Sequence, residues 1–147
     1  MPREKVGVGF VGTCGFMAQT THIPVFQALS ECELIAGVGN RPSLLNAVAD
    51  RFNIPKRYSQ LDELCADDEV DAVVVMVQPH WNPGIVIPLI EAGKHVLCEK
   101  PIALSVQWAQ RLADVASSTD RIVMVAYMKR YDPGVERALE LVKRWNV

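Results

Sequence analysis

A glycine-rich segment near the start of the chain, residues 5–19, limits what this polypeptide can fold into. A short apolar run, Val6–Val11, leads into a turn of small residues, and a helix-compatible stretch follows. In the order strand, glycine turn, helix, unpaired backbone N–H groups at the start of the helix point outward and attract anions. Glycine is needed there because a Cβ atom would keep the backbone away from phosphate oxygens. The segment therefore predicts a pyrophosphate-binding turn.

The glycines of this segment admit more than one alignment with a phosphate-binding motif. The spacing G-x-G-x-x-G is met by Gly7, Gly9 and Gly12. The first two lie inside the apolar run, so we place them in the strand and begin the turn at Gly12. Cys14 then stands where a second glycine is expected. Either the loop has one extra residue, with Gly15 and Ala18 completing the motif, or Cys14 tolerates the close approach of phosphate. A glycine turn without a ligand is the alternative.

Strand-like and helix-like segments alternate along all 147 residues. We predict strands at 6–11, 33–39, 71–77, 94–98 and 122–126, a short extended piece at 57–58, and helices at 17–29, 42–52, 60–66, 84–92, from 105 and from 133. The connections are too long for hairpins, and the β-branched run at 71–77 is typical of a strand covered on both faces. The pattern predicts one α/β domain with a doubly wound, mainly parallel sheet of the Rossmann type.

Local signals define several helix ends. Pro24 falls inside the first predicted helix, so we expect the helix to bend or restart there. Pro42 suits the first position of the second helix, because its missing N–H is not needed at that position. Gly93 is the expected C-terminal stop of the helix at 84–92. Ser105 is the expected N-cap of the following helix.

Bulk composition argues against several classes of partner. The net charge of −2 gives no electrostatic basis for binding nucleic acid or an anionic membrane. No apolar stretch approaches the ~20 residues of a membrane span, and the charged first five residues do not resemble a signal peptide. The cysteines are widely spaced, at positions 14, 32, 65 and 98, with no C-x-x-C pair. We therefore expect a cytoplasmic protein with free thiols and no metal site.

Polar and glycine residues follow several of the predicted strands. In doubly wound sheets, ligands bind where the carboxyl ends of the strands meet at the switch point. The turn at 12–14, Asn40 with Arg41, the loop at 78–82 and Glu99 with Lys100 all fall at such ends. We therefore expect a dinucleotide site, and the candidate cofactor contacts are Gly12, Cys14, Gly15, Phe16, Met17, Asn40, Arg41, Gln78, Pro79, His80, Asn82, Glu99 and Lys100.

The end of the second strand bears on the choice of cofactor. An acid is expected there, ~20 residues after the glycines, when the cofactor is NAD, because a carboxylate accepts hydrogen bonds from the ribose hydroxyls. Asn40 occupies this place and Arg41 follows it. These side chains donate to a 2′-phosphate, which a carboxylate would repel, so we favour NADP over NAD. The alternative is that Arg41 is a solvated charge at a helix start.

Lys100 is the titratable residue of most interest. It directly follows a strand, beside Glu99 and before Pro101. Its ammonium could hydrogen-bond a substrate hydroxyl or a ribose, with Glu99 orienting it. From the residues alone, a surface ion pair at a strand end is the preferred interpretation. His22 lies beside Pro24 in a helix turn, where a structural role is more common than contact with a ligand.

Four blocks of sequence together resemble the Gfo/Idh/MocA oxidoreductase family. They are residues 11–18, 22–24, 91–101 and 127–133, and the third, which contains Glu99-Lys100-Pro101, is the most specific. The resemblance implies an N-terminal Rossmann domain that binds NAD or NADP. It also implies hydride transfer at a secondary alcohol of a sugar, a cyclitol or a similar substrate. Lys100 would contact the nicotinamide ribose and the reacting oxygen, and the Lys100–Pro101 bond would be cis.

Three departures from the family pattern shape the expected function. Cys14 interrupts the glycine motif, and Asn82 stands where relatives commonly have a histidine. The family also has a second α/β domain, beyond the position where this chain stops, that completes the substrate site and the dimer contacts. We therefore expect the cofactor half of an NADP-dependent dehydrogenase, forming a homo-oligomer with apolar surface exposed near Trp145 and Trp81. A non-catalytic nucleotide-binding or scaffolding module is the alternative, and a methyltransferase is a weaker one.

Overall fold

The fold is a six-stranded sheet with helices on both faces, as a computed structural model of residues 4–145 shows. The strands are β1 (Val6–Val11), β2 (Cys32–Val38), β3 (Lys56–Tyr58), β4 (Ala72–Val75), β5 (His95–Cys98) and β6 (Val123–Val125). Every pairing between neighbouring strands is parallel, and the order across the sheet is β3-β2-β1-β4-β5-β6. The predicted doubly wound parallel sheet is therefore confirmed.

Within residues 4–145, six α-helices connect and cover the strands. They are α1 (Ile23–Ala28), α2 (Pro42–Phe52), α3 (Leu61–Cys65), α4 (Asn82–Glu91), α5 (Val106–Ser117) and α6 (Pro133–Trp145). A π-helical turn, Ala18–His22, precedes α1, and 3₁₀ turns lie at Pro79–Trp81 and Met128–Tyr131. None of the helices in the described part of the chain combines the length and apolarity needed to cross a bilayer.

The two faces of the sheet carry separate apolar cores. On one face, Phe10 of β1 packs with Ile23 of α1 and Phe52 of α2. On the other face, β4 packs under α3, α4 and α5, and Leu89 and Leu112 are buried there. Burying a large aliphatic or aromatic side chain contributes roughly 1.5–3 kcal/mol, so both cores stabilise the sheet. The central strands are thus covered from both sides, as the β-branched run at 71–77 predicts.

The local helix signals act as predicted. The helix that follows the glycine turn changes to a π-helical turn and resumes as α1 at Ile23, immediately before Pro24. Pro42 is the first residue of α2, and Gly93 follows α4 with a φ of +78°. The Ser105 hydroxyl accepts a hydrogen bond from the backbone N–H of Trp108, at 3.3 Å. The four signals are confirmed because each depends on the backbone chemistry of one residue and its near neighbours.

Element boundaries differ from the prediction mainly at the C-terminal end of β4. The strand was expected over 71–77, but the ladder covers only Ala72–Val75. Met76 still donates its N–H to the carbonyl of Val11, at 2.9 Å, and then turns away with Val77. The helix expected at 84–92 begins two residues earlier, at Asn82. These shifts bring the end of β4 over the glycine turn.

Gly12 is the residue on which the turn after β1 depends. Its φ is +82°, and a Cβ atom added to it would lie 2.4 Å from the carbonyl oxygen of Met76. Gly7 and Gly9 lie inside β1, which confirms that the turn begins at Gly12. Any larger residue at position 12 therefore meets both an unfavourable backbone conformation and a clash with the end of β4.

Substitution of Gly12 tests this packing. We expect Gly12→Ala to lower the free energy of unfolding by more than ~2 kcal/mol, because backbone strain and steric clash add. Gly93→Ala isolates the conformational term, since its φ is +78° and no atom lies within 4 Å of the added Cβ, so we expect a loss of about 1 kcal/mol.

Gly84→Ala is the control without strain or clash, because Gly84 lies in α4 with open space around it, and we expect a gain of ~0.5 kcal/mol. Urea denaturation followed by circular dichroism measures all three variants. Equal losses for Gly12→Ala and Gly93→Ala would show that the Met76 carbonyl does not constrain the turn.

Candidate functional site

The carboxyl ends of β1, β2, β4 and β5 surround a cleft of about 680 Å³. Most of the predicted cofactor contacts line it, namely Gly12, Cys14, Gly15, Phe16, Met17, Asn40, Arg41, Gln78, Glu99 and Lys100. Residues from four separate stretches of the chain therefore meet at one edge of the sheet. β1 is paired with β2 on one side and with β4 on the other, which makes the cleft the switch point of the fold.

Three of the predicted contacts do not line this cleft. Pro79 and His80 belong to the 3₁₀ turn, in which the rings of His80 and Trp81 lie 5.0 Å apart between centroids. Trp81, and not His80, is the side chain of this turn that faces the cleft. Asn82 is buried at the start of α4 and donates its Nδ2 hydrogen to the carbonyl of Pro101, at 3.0 Å. This hydrogen bond ties the start of α4 to the Lys100–Pro101 segment.

The glycine turn presents backbone groups at the mouth of the cleft. Gly15 donates its N–H to the carbonyl of Gly12 at 2.9 Å, and a Cβ added at Gly15 would lie 3.2 Å from that same oxygen. Phe16 and Met17 follow at the start of the helix, and both are exposed. A helix start next to a compact glycine turn offers N–H donors to an anion, as the sequence predicts.

Thr13 fixes the turn against β2, which sequence reasoning missed. The side chain is fully buried, and its hydroxyl lies 2.8 Å from the carbonyl oxygen of Phe10 and 3.1 Å from that of Val38. A Cβ added at Gly37 would lie 3.0 Å from both the methyl and the hydroxyl of Thr13. The contact between Thr13 and Gly37 joins residues 24 positions apart, so no local sequence pattern predicts it.

Cys14 packs in the turn as an uncharged thiol. Its sulfur lies against Gly39, where an added Cβ would be 3.2 Å from Sγ. Burial raises the pKa of the Cys14 thiol, and nearby Arg41 opposes that shift only in part. Burial, with Glu99 nearby, raises the pKa of Cys98 to about 12. All four cysteines are free thiols.

The end of β2 brings two side chains that can donate hydrogen bonds to the cleft. Gly39 is held by donation of its N–H to the carbonyl of Tyr58 at the end of β3, at 3.2 Å. Asn40 and Arg41 follow, and both side chains are exposed along the cleft. No acidic residue stands between β2 and the start of α2, at Pro42.

Lys100 projects from the end of β5 and is exposed at the cleft. Glu99 does not pair with its ammonium in the described structure, which contradicts the interpretation of a surface ion pair. The Glu99 carboxylate instead contacts Nε2 of His22, at 2.8 Å, and accepts the backbone N–H of Lys100, at 3.1 Å. The Lys100–Pro101 peptide bond is cis, as the resemblance implies. The ammonium is therefore available to a ligand.

Three of the described cleft residues belong to predicted strands and were absent from the sequence-based set. They are Gly39, Met76 and Val77, which come from the ends of β2 and β4. Trp81 and Met128 also line the cleft, and the sequence had indicated only the loops that contain them. A rule that assigns the last residue of each predicted strand to the site would have found Gly39 and Val77.

The fold and the cleft at its switch point define the class of the protein as a dinucleotide-binding domain of the Rossmann type. The family model for the Gfo/Idh/MocA group, described as "Oxidoreductase family, NAD-binding Rossmann fold", matches residues 6–127. The chain belongs to this family, which confirms the resemblance drawn from the sequence.

Curated relatives give the same assignment over a longer part of this chain. The uncharacterized oxidoreductase ORF334 of Rhizobium meliloti is 34% identical over 139 residues, covering 95% of this chain and 41% of the relative. D-xylose 1-dehydrogenase (NADP(+)) 2 of Haloferax volcanii is 36% identical over 134 residues, covering 91% and 41%. Myo-inositol 2-dehydrogenase of Thermotoga maritima is 27% identical, covering 97% and 42%. The chain thus spans less than half the length of these relatives.

Solved structures share the fold. A 3-ketoreductase from Actinomadura kijaniata, in complex with TDP-benzene and NADP, superposes with a TM-score of 0.84 at 26% identity, covering 95% of this chain and 44% of that one. Scyllo-inositol dehydrogenase from Lactobacillus casei, with bound NAD(H) and scyllo-inositol, gives a TM-score of 0.86 at 21% identity, with coverages of 97% and 42%. The second likeness speaks to the fold alone.

Proposed function

We propose that this chain is the cofactor-binding part of an NADP-dependent oxidoreductase that acts on a secondary alcohol of a sugar, cyclitol or similar small polyol. The observation that carries the proposal is the exposed side chain of Lys100 on the same cleft as the glycine turn and Arg41. Relatives named as a D-xylose dehydrogenase and an inositol dehydrogenase support this class of substrate. The four free thiols support a cytoplasmic location.

Different residues of the cleft would hold different parts of the cofactor. Backbone N–H groups of the turn and of Phe16 and Met17 would hold the pyrophosphate, and Asn40 and Arg41 would hold the 2′-phosphate of the adenosine ribose. Lys100 would donate a hydrogen bond to the nicotinamide ribose and to the reacting oxygen of the substrate. Bound NADP supplies a nicotinamide ring that accepts or gives a hydride. Hydride transfer also needs a substrate held in position, and the described residues of the cleft would supply the cofactor side of that site.

Titration with NADPH tests the cofactor proposal. The chain should show a saturable change in NADPH fluorescence, and Lys100→Ala should raise the Kd by ~10-fold because one charge-assisted hydrogen bond is lost. Lys5→Ala is the matched control, since Lys5 is exposed just before β1, at the opposite end of that strand from the cleft, and its Kd should equal that of the wild type. No saturable change at millimolar NADPH would end the proposal. An unchanged Kd for Lys100→Ala would favour a nucleotide-binding module without chemistry.

A second variant tests the preference for NADP over NAD. Arg41→Ala should raise the Kd for NADPH by ~10-fold and leave the Kd for NADH unchanged, because only NADPH carries the 2′-phosphate. Arg111→Ala removes an equally exposed guanidinium from α5, outside the cleft, and should change neither value. Equal weakening of both cofactors by Arg41→Ala would place Arg41 at the pyrophosphate instead.

We also propose that the chain forms a homo-oligomer through α6. This helix exposes an apolar face, with Val135, Leu139, Val142 and Trp145 all accessible. Glu136 and Lys143 are seven residues apart, so they lie along one side of that face. In an antiparallel pair of copies, Glu136 of each chain would stand opposite Lys143 of the other, and the apolar faces would cover each other.

Light scattering coupled to size exclusion tests this association. The mass of the wild type should rise toward that of a dimer with concentration, and Leu139→Glu should keep the chain monomeric because it places a charge in the contact. Gln107→Glu adds the same charge at an exposed position of α5 and should behave as the wild type. A wild type that remains a monodisperse monomer at high concentration would contradict the proposal.

A further inference from the structure

The segment that carries Lys100 is held by a carboxylate with two partners. Glu99 Oε1 lies 2.8 Å from Nε2 of His22, and Glu99 Oε2 accepts the backbone N–H of Lys100 at 3.1 Å. The His22 and Glu99 side chains are only 12% and 16% exposed. With both oxygens engaged, the Glu99 carboxylate has little freedom to rotate or to approach the Lys100 ammonium.

His22 reaches this carboxylate from a different part of the chain. It is the last residue of the π-helical turn that follows the glycine turn, 77 residues before Glu99. A π-helical turn inside a longer helix is uncommon, and those that do occur are often found at functional sites. Because an ionised carboxylate can only accept hydrogen bonds, Nε2 of His22 must be the donor in this pair. The contact thus joins the helix behind the phosphate-binding turn to the end of β5.

Further contacts fix the same segment from its other sides. The N–H of Glu99 donates to the carbonyl of Val75 at 2.9 Å, which fixes the segment to β4. Asn82 donates to the carbonyl of Pro101 at 3.0 Å, on the far side of Lys100. The carbonyl of Val75 and the side chains of Asn82 and Glu99 therefore hold the peptide units on both sides of Lys100, while its own side chain stays exposed at the cleft.

We propose that His22 is a positioning residue for Lys100 and acts through Glu99. The imidazole fixes the carboxylate, the carboxylate fixes the Lys100 backbone N–H, and the lysine stem is thereby directed into the cleft. The inference rests on the proposed function, because it gives Lys100 a role in holding the nicotinamide half of the cofactor. It assigns Glu99 to this arrangement and not to direct contact with the cofactor.

A double-mutant cycle on the 147-residue chain tests the coupling. We expect His22→Ala to raise the Kd for NADPH by about threefold to tenfold in the wild-type background and by less than about twofold in the Lys100→Ala background. His22→Gln should restore a Kd within about twofold of the wild type, because the glutamine Nε2 can donate to Glu99 in place of the imidazole. A merely structural histidine would give additive losses and no rescue.

His95→Ala is the matched control. His95 is the first residue of β5, at the opposite end of that strand from Glu99 and Lys100. Its Nδ1 accepts the backbone N–H of Ile122, at 3.0 Å. We expect this variant to lose stability in urea denaturation without a change in the Kd for NADPH. The proposal is overturned if both His22→Ala and His95→Ala raise the Kd for NADPH in proportion to their loss of stability.

Hydrogen exchange of the Lys100 amide gives a readout that needs no nucleotide. In ¹⁵N-labelled protein this amide should exchange on the order of tenfold faster in His22→Ala and at the wild-type rate in His22→Gln. An unchanged rate in His22→Ala would overturn the inference even if the wild type fails to bind NADPH. Failure of wild-type binding with the expected exchange pattern would instead reject the proposed function and retain the coupling between His22 and Lys100.

Discussion

The close approach of the chain at Gly12 to the end of β4 is the constraint on which the site depends. The Met76 carbonyl lies where a side chain at position 12 would begin, so the turn can pass over β4 only with glycine there. That passage lets the following helix start at the edge of the sheet, where its N–H groups meet the ends of β2 and β5. The close approach of Gly12, just after β1, to Met76, just after β4, thus shapes the cleft at the switch point of the sheet.

Charged side chains are distributed unevenly around the cleft. Glu99 is the one acidic residue among the described residues of the cleft, and its carboxylate is already engaged by His22 and by the backbone N–H of Lys100. Away from the cleft, Asp67 pairs with Lys56 and Asp50 with Arg57. Arg41 and Lys100 line the cleft itself, and both are exposed. A chain with a net charge of −2 thus presents cationic groups at the place where a phosphate-rich ligand would bind.

Particular residues show how far local reasoning reaches in this protein. Pro42, Gly93 and Ser105 each act within one helix end, and each was predicted correctly because capping depends on adjacent residues. Asn82 behaves differently: its place at a strand end made it a candidate contact, yet its side chain turns inward to Pro101. Strand periodicity predicts which loops reach the rim, but it does not decide which side chains of a loop face the ligand.

The sequence by itself determined the alternation of strands and helices, the start of the phosphate-type turn at Gly12 and the family to which the chain belongs. These properties are written in spacing and residue type over short windows, where backbone preferences act directly. Only the tertiary structure decided that Glu99 pairs with His22, that Thr13 packs against Gly37 and that Met76 covers the turn. Each of these contacts joins residues far apart in sequence, and the alignment of neighbouring strands and helices sets the distance between them, which no local pattern encodes.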